Sequence, residues 1–177
     1  CNKGEQHKDK QAKKNKSTHG MDGLIYLESQ IEDGLLDTVV ISSKYTIKYP
    51  ENPKSLFKSH LKDLAFTIEC FKNSKINSEI NQRFNTVTKT ELTGILVWLS
   101  NDDDINFNLN SKVNNITIDN QLIFDKIILL DNNKVNFLFQ SIYRAKETYG
   151  KENVSFVYHN SSLNYSSQQS LTYGKTL

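Results

Sequence analysis

The stretch 38-TVVISSKYTIKYPENPKSLFKSHLKDLAFTIECF-71 changes its hydrophobic period halfway along. Up to Ile47 it is rich in β-branched residues, and alternation sets Val40, Ser42 and Lys44 on one face of a strand. Pro50 ends that run. Asn52 then offers a helix N-cap and Pro53 the first helical position, where a missing N–H is no loss. Beyond it Phe57, Leu61, Leu64, Ile68 and Phe71 recur at spacings of four, three, four and three. That is the helical period, so a helix runs to about residue 73 with this stripe on the core. Each stripe side chain, once buried, contributes about 1.5–3 kcal/mol before entropy is counted.

The same two periods organise the flanks. Upstream, 24-LIYL-27 reads as a short strand and 32-EDG-34 as the turn that joins it to the next one. Downstream, a polar stretch has room for a short helix near Ile80, and 92-LTGILVWL-99 is a near-continuous apolar run suited to a strand covered on both faces. Residues 101–119 are rich in Asn and Asp and read as loop, with weak alternation at Ile105, Phe107 and Leu109. A buried strand over 124–130 precedes a helix over 134–149, with Val135, Leu138, Phe139, Ile142 and Tyr149 on one face and Gly150 as its C-cap. The stretch 154-VSFVY-158 closes the pattern as a strand. The order β, β, α, β, β, α, β predicts an α/β fold: a mixed β-sheet flanked by helices.

Length and composition agree. The chain has 177 residues, 37% hydrophobic and 24% charged, enough for one domain with a full core. No apolar run approaches the roughly 20 residues that span a bilayer. We read residues 19–160 as the single α/β domain, 1–18 as a basic flexible arm or tether, and 161–177 as a polar tail. Six lysines in the first 16 residues stand against Glu5 and Asp9, a net +4, which leaves −2 on the remaining 161 residues of a chain whose total is +2. The folded body is therefore no uniformly cationic coat for nucleic acid. Two cysteines, Cys1 and Cys70, make neither a disulfide framework nor a Cys/His metal cluster.

Chemistry concentrates where the first two strands meet. The turn Gly20-Met21-Asp22-Gly23 enters the first strand, and Ser42-Ser43-Lys44 lies in the second, just ahead of the long helix. Hydrolysis of a phosphodiester with a hard cation calls for carboxylate oxygens at the ends of adjacent strands and a nearby ammonium to steady charge and orient water. Asp22 and Lys44 would supply those parts. The Asn101-Asp102-Asp103-Asp104 run lacks the glycine and terminal Glu of a calcium loop and reads as a solvated turn. Trp98 is assigned to the core.

At these residues the chain resembles the PD-(D/E)xK nuclease superfamily, the restriction-endonuclease-like fold. Within it the likeness is to bacterial defence nucleases with a His-Gly-x-Asp turn and a Glu-x-Lys strand. The matching residues are His19, Gly20, Asp22, Ser43 and Lys44, and Ser42 stands where the family has its metal-binding Glu. The resemblance implies a Mg²⁺-dependent endonuclease acting on DNA in the cytoplasm. Asp22 would be the metal ligand, Lys44 the catalytic ammonium, Ser42 the replaced acid position and His19 an accessory group. It allows a homodimer or a partner subunit. A hydroxyl in place of a carboxylate makes a binding-only relative the variant form of this reading, and Glu5 and Glu28 are the candidates for a displaced acid. A separate reading starts from Cys1: a lipidated cysteine, residues 2–18 as tether, and a body that binds a partner or small ligand at the cell membrane. Upstream coding sequence with an apolar segment and small residues before Cys1 would favour it.

Overall fold

The computed structural model describes residues 19–29, 32–84, 86–101, 104 and 107–154. The arm with Cys1 and Glu5, most of the expected strand over 154–158 and the tail lie outside the described residues.

Strand β1 (Gly23–Glu28) turns back through Gly34 into β2 (Leu35–Thr46). Gly34 has φ +74°, a backbone shape that costs glycine nothing, and its carbonyl accepts from the Thr88 and Lys89 N–H groups at 2.8 and 3.1 Å. β2 starts three residues before the β-branched run, because Leu35 and Leu36 are already buried in the ladder. Helix α1 (Lys54–Lys72) follows, then α2 (Lys75–Arg83), β3 (Lys89–Ser100), α3 (Leu109–Val113), β4 (Lys126–Leu130), α4 (Asn132–Tyr149) and a 3₁₀ turn (Lys151–Asn153). The four strands form one mixed sheet in the order β1-β2-β3-β4. β1 pairs antiparallel with β2, and β2 with β3 and β3 with β4 run parallel.

α1 crosses from the end of β2 to the start of β3 and covers one sheet face. Its predicted stripe, Phe57, Leu61, Leu64, Ile68 and Phe71, is buried in full, against Leu36 and Val40 of β2 and Leu92, Leu96 and Trp98 of β3. The alternating residues of β3 are only half-buried, so this strand is sealed on one face rather than both. Gly94 sits at the closest approach: a Cβ there would stand 2.7 Å from Ile68 Cδ1 and 2.9 Å from Ile127 Cγ1.

Three local expectations are corrected. Pro53, not Asn52, is the N-cap residue of α1, with no side-chain cap; the Phe57 N–H instead donates to the Pro53 carbonyl at 2.8 Å. The 101–119 segment contains α3, a five-residue helix capped by the Asn108 side chain, which accepts from the Ser111 N–H at 3.0 Å and buries Leu109 and Val113. α4 starts at the Asp131 cap, earlier than its apolar period, and none of its residues is buried: Phe139 is 62% exposed and Tyr149 68%. Its amphipathic spacing is real, yet the face is open among the described residues.

Candidate functional site

The row of β2 that faces α1 runs Leu36, Thr38, Val40, Ser42, all buried, and emerges at half-buried Lys44. The parallel register sets Ser42 beside Leu96 and Lys44 beside Trp98. Asp22 reaches the same place from the other side. Its N–H donates to the Ile41 carbonyl at 3.0 Å, and its Oδ2 accepts the Ser43 N–H at 2.6 Å. An exposed carboxylate is thus fastened to the backbone between Ser42 and Lys44, with Oδ1 making no hydrogen bond among the described residues. Sequence motifs 20 residues apart converge because the β1–β2 hairpin folds one onto the other.

His19 packs toward α1. Its ring lies 6.4 Å from the Phe66 ring of α1, edge to face, and the Lys62 Nζ sits 5.2 Å from the same ring. Glu28, a candidate for a displaced acid, is at the far end of β1: it pairs with Leu36 and accepts from the Thr86 hydroxyl at 3.2 Å. The five residue steps between Gly23 and Glu28 span about 17 Å at ~3.4 Å each, so it does not join Asp22.

Sequence reasoning missed His60. Its ring meets Trp98 edge-on at 5.0 Å, and His60 Nε2 and Trp98 Nε1 are both buried with no hydrogen-bond partner. Burial depresses the His60 pKa below the usual imidazole value, the nearby Lys44 ammonium lowers it further, and Asp63 acts in the opposite sense. The signal was available: His60 follows Phe57 by three and precedes Leu64 by four, inside the buried arc of α1. Among the described residues the Lys44 ammonium makes no hydrogen bond or ion pair, so it remains an available positive charge beside a neutral imidazole.

A second polar knot closes the strand ends behind the site. The Tyr49 hydroxyl donates to the Trp98 carbonyl at 2.6 Å and accepts from the Asn132 N–H at 3.4 Å. The Asn132 side chain accepts from the Ser100 N–H at 3.0 Å and donates to the Ser100 carbonyl at 2.9 Å. Burial raises the Tyr49 pKa, which keeps this hydroxyl protonated.

Among the described residues no three His, Cys, Asp or Glu side chains converge to hold a metal ion. Asp22 nevertheless fits a reduced site for Mg²⁺, which commonly binds through one or two carboxylates and completes its shell with water and substrate phosphate. The exposed, uncommitted Oδ1 is the atom that fits. Ser42 supplies only a neutral hydroxyl, buried to 3% exposure.

A hairpin carrying Asp22 and Lys44, a crossover helix and a parallel strand in a mixed sheet define a restriction-endonuclease-like α/β domain. A family model described as the GAPS4 protein PD-(D/E)XK nuclease domain matches residues 1–134, about three quarters of the chain, and the chain belongs to that family. No curated protein and no solved structure matches it. No helix among the described residues is long and apolar enough to cross a membrane.

Proposed function

We propose that this domain binds DNA at the Asp22–Lys44 end of the sheet and hydrolyses its phosphodiester backbone with Mg²⁺, in the cytoplasm of a bacterial cell as part of defence. The observation that carries the reading is the fastening of the Asp22 carboxylate to the Ser43 N–H, between the acid position and the lysine of the nuclease motif. Membership of a nuclease-domain family supports it.

Asp22 would hold the cation through Oδ1, and bound Mg²⁺ would supply charge neutralisation at the phosphate. The Ser43 amide fixes the carboxylate's direction. Lys44 would stabilise the negative charge that grows on the phosphoryl oxygens and orient the attacking water, and burial and the Lys44 charge both disfavour a second positive charge on His60. His19 borders the site from the α1 side. Ser42 takes the acid's place without its charge, which predicts weak metal affinity and slow turnover.

The test is nicking of supercoiled plasmid with Mg²⁺ or Mn²⁺ by wild type, Asp22→Ala and Lys44→Ala. Nicking lost in both variants supports the reading, and nicking untouched by either rules out the site. Wild-type DNA binding without cleavage, weakened by Lys44→Ala, identifies the binding-only form.

A further inference from the structure

We infer that the lysine-lined flank of α1, together with the groove between it and residues 115–122, is the track on which a nucleic-acid backbone lies as it approaches Asp22. The inference rests on the nuclease reading above and deepens it by assigning the residues that hold the polymer.

Lys54, Lys58 and Lys62 recur every fourth residue, so they form one stripe with about 6 Å of axial rise between neighbours. The stripe forms one wall of a groove. Two adjoining depressions, of about 340 and 470 Å³, share Lys58 and Thr117 and so run into each other, with Lys62 in the first and Lys54 in the second. Asp119 is the acidic residue in these walls. Among the described residues none of the three ammonium groups is paired with a carboxylate. The far end of the same helical region behaves differently: Lys72 is bound to Asp125 at 2.8 Å and Lys75 faces Glu79 at 3.4 Å. Like charges one helical turn apart oppose one another. A stripe left uncompensated, on a body that carries net −2 outside its first 16 residues, is a local charge in search of an anion.

The anion that fits is a chain of phosphates. A nucleic-acid strand presents one charge per ~3.4 Å of axis, so the ~12 Å from Lys54 to Lys62 faces three or four phosphates of a single strand. The lysines line a concavity, which admits a strand and keeps out the flat surface of a bilayer. The stripe also points somewhere. The Lys62 Nζ lies 5.2 Å from the Phe66 ring centroid, the His19 ring lies edge-on to the same ring at 6.4 Å, and Asp22 follows His19 by three residues in the chain. A backbone laid along the lysines is therefore led toward the segment that carries the carboxylate already assigned to the cleavage site.

The test is fluorescence anisotropy of the full chain with a labelled random-sequence DNA duplex and, separately, an RNA duplex, in EDTA, over a salt series. Each lost phosphate contact removes about 0.9 from the slope of log affinity against log salt. The variant K54Q/K58Q/K62Q should therefore lower that slope by about 2–3, and K58Q alone by about 1. The control K75Q/K146Q/K151Q, equal in charge change, should leave it at the wild-type value. Binding with an unchanged slope in the triple variant, or an equal loss in the control, overturns the track and leaves the nuclease reading standing. Triple-variant loss of binding to phosphatidylserine vesicles without loss of nucleic-acid binding also overturns it. A wild type that binds neither duplex at low salt overturns both. A slope loss in a protein that cleaves nothing upholds the track and refutes only the catalytic reading.

Discussion

Gly94→Ala should destabilise the protein although it puts a better strand former in the middle of β3. The new Cβ would sit 2.7 Å from Ile68 Cδ1, 2.9 Å from Ile127 Cγ1 and 3.3 Å from Leu64 Cδ2. Carbon pairs are comfortable at about 3.5–4.0 Å, so the first two contacts are short by roughly 0.8 and 0.6 Å. Overpacking of this kind costs about 1–3 kcal/mol. Loss of glycine's freedom in the unfolded chain returns about 0.4–1 kcal/mol. The net expectation is about 1–2 kcal/mol of destabilisation. Ile68→Val alone should cost about 0.5–1.5 kcal/mol, but it deletes the Cδ1 atom that makes the worst contact. The double variant should therefore lose less than the two single losses added together, by about 0.5–1.5 kcal/mol; Ile127 limits the relief. The assay is urea unfolding followed by the fluorescence of Trp98, the single tryptophan of the chain and fully buried. Wild-type stability in Gly94→Ala, or additivity within about 0.5 kcal/mol, would refute the claim that this glycine sets the distance between α1 and the sheet.

His60 gives a pH dependence with a definite sign. Its folded pKa lies below the ordinary 6.5, so as pH falls through 6.5 the unfolded chain takes up a proton that the folded state, facing Lys44, resists; stability should drop there and recover at higher pH. His60→Gln should flatten the fall in urea midpoint between about pH 7.5 and pH 5, and an unchanged fall would place its origin elsewhere. Tyr49→Phe removes the donor to the Trp98 carbonyl and should cost about 1–3 kcal/mol in the same assay, with no loss expected if that carbonyl finds water. Ser42→Glu restores a carboxylate at a buried position: a lower melting temperature together with a gain in Mg²⁺-dependent nicking is expected, and lower stability with no gain would count against an acid-deficient centre.

How much of this was legible beforehand depended on the range of the interaction. The two periods in residues 38–71 reported the β2–α1 unit directly, because each residue's burial there follows from its own neighbours in sequence. The Asp22–Lys44 convergence was legible through the hairpin turn at residues 32–34, a local signal with a long-range result. The start of α1 was misread by one residue, since Pro53 satisfies the cap through its carbonyl and needs no side chain. α3 escaped because five residues of mostly polar type carry too little period to register. The open face of α4 could not be foreseen: amphipathic spacing states that a face is apolar, not what covers it. His60 was hidden for the converse reason. Its partners, Trp98 and Lys44, come from two other elements, and only the parallel register brings them together.

The knot at the head of α4 also has a mechanical meaning. Eighteen residues of helix project from it, a rod of about 27 Å. The rod is clamped at its base, where the Asp131 carboxylate accepts from the Lys134 N–H at 2.9 Å and the Asn132 side chain grips Ser100 at the end of β3. The family match ends at residue 134, within this clamp. The rod's first turn is tied to the body at three points, Asn132 to Ser100, Asn133 to Phe107 and Lys134 to Leu129. From Asn132 a hydrogen-bonded path runs through the Tyr49 hydroxyl to the carbonyl of Trp98, whose ring meets His60 and whose register neighbour is Lys44.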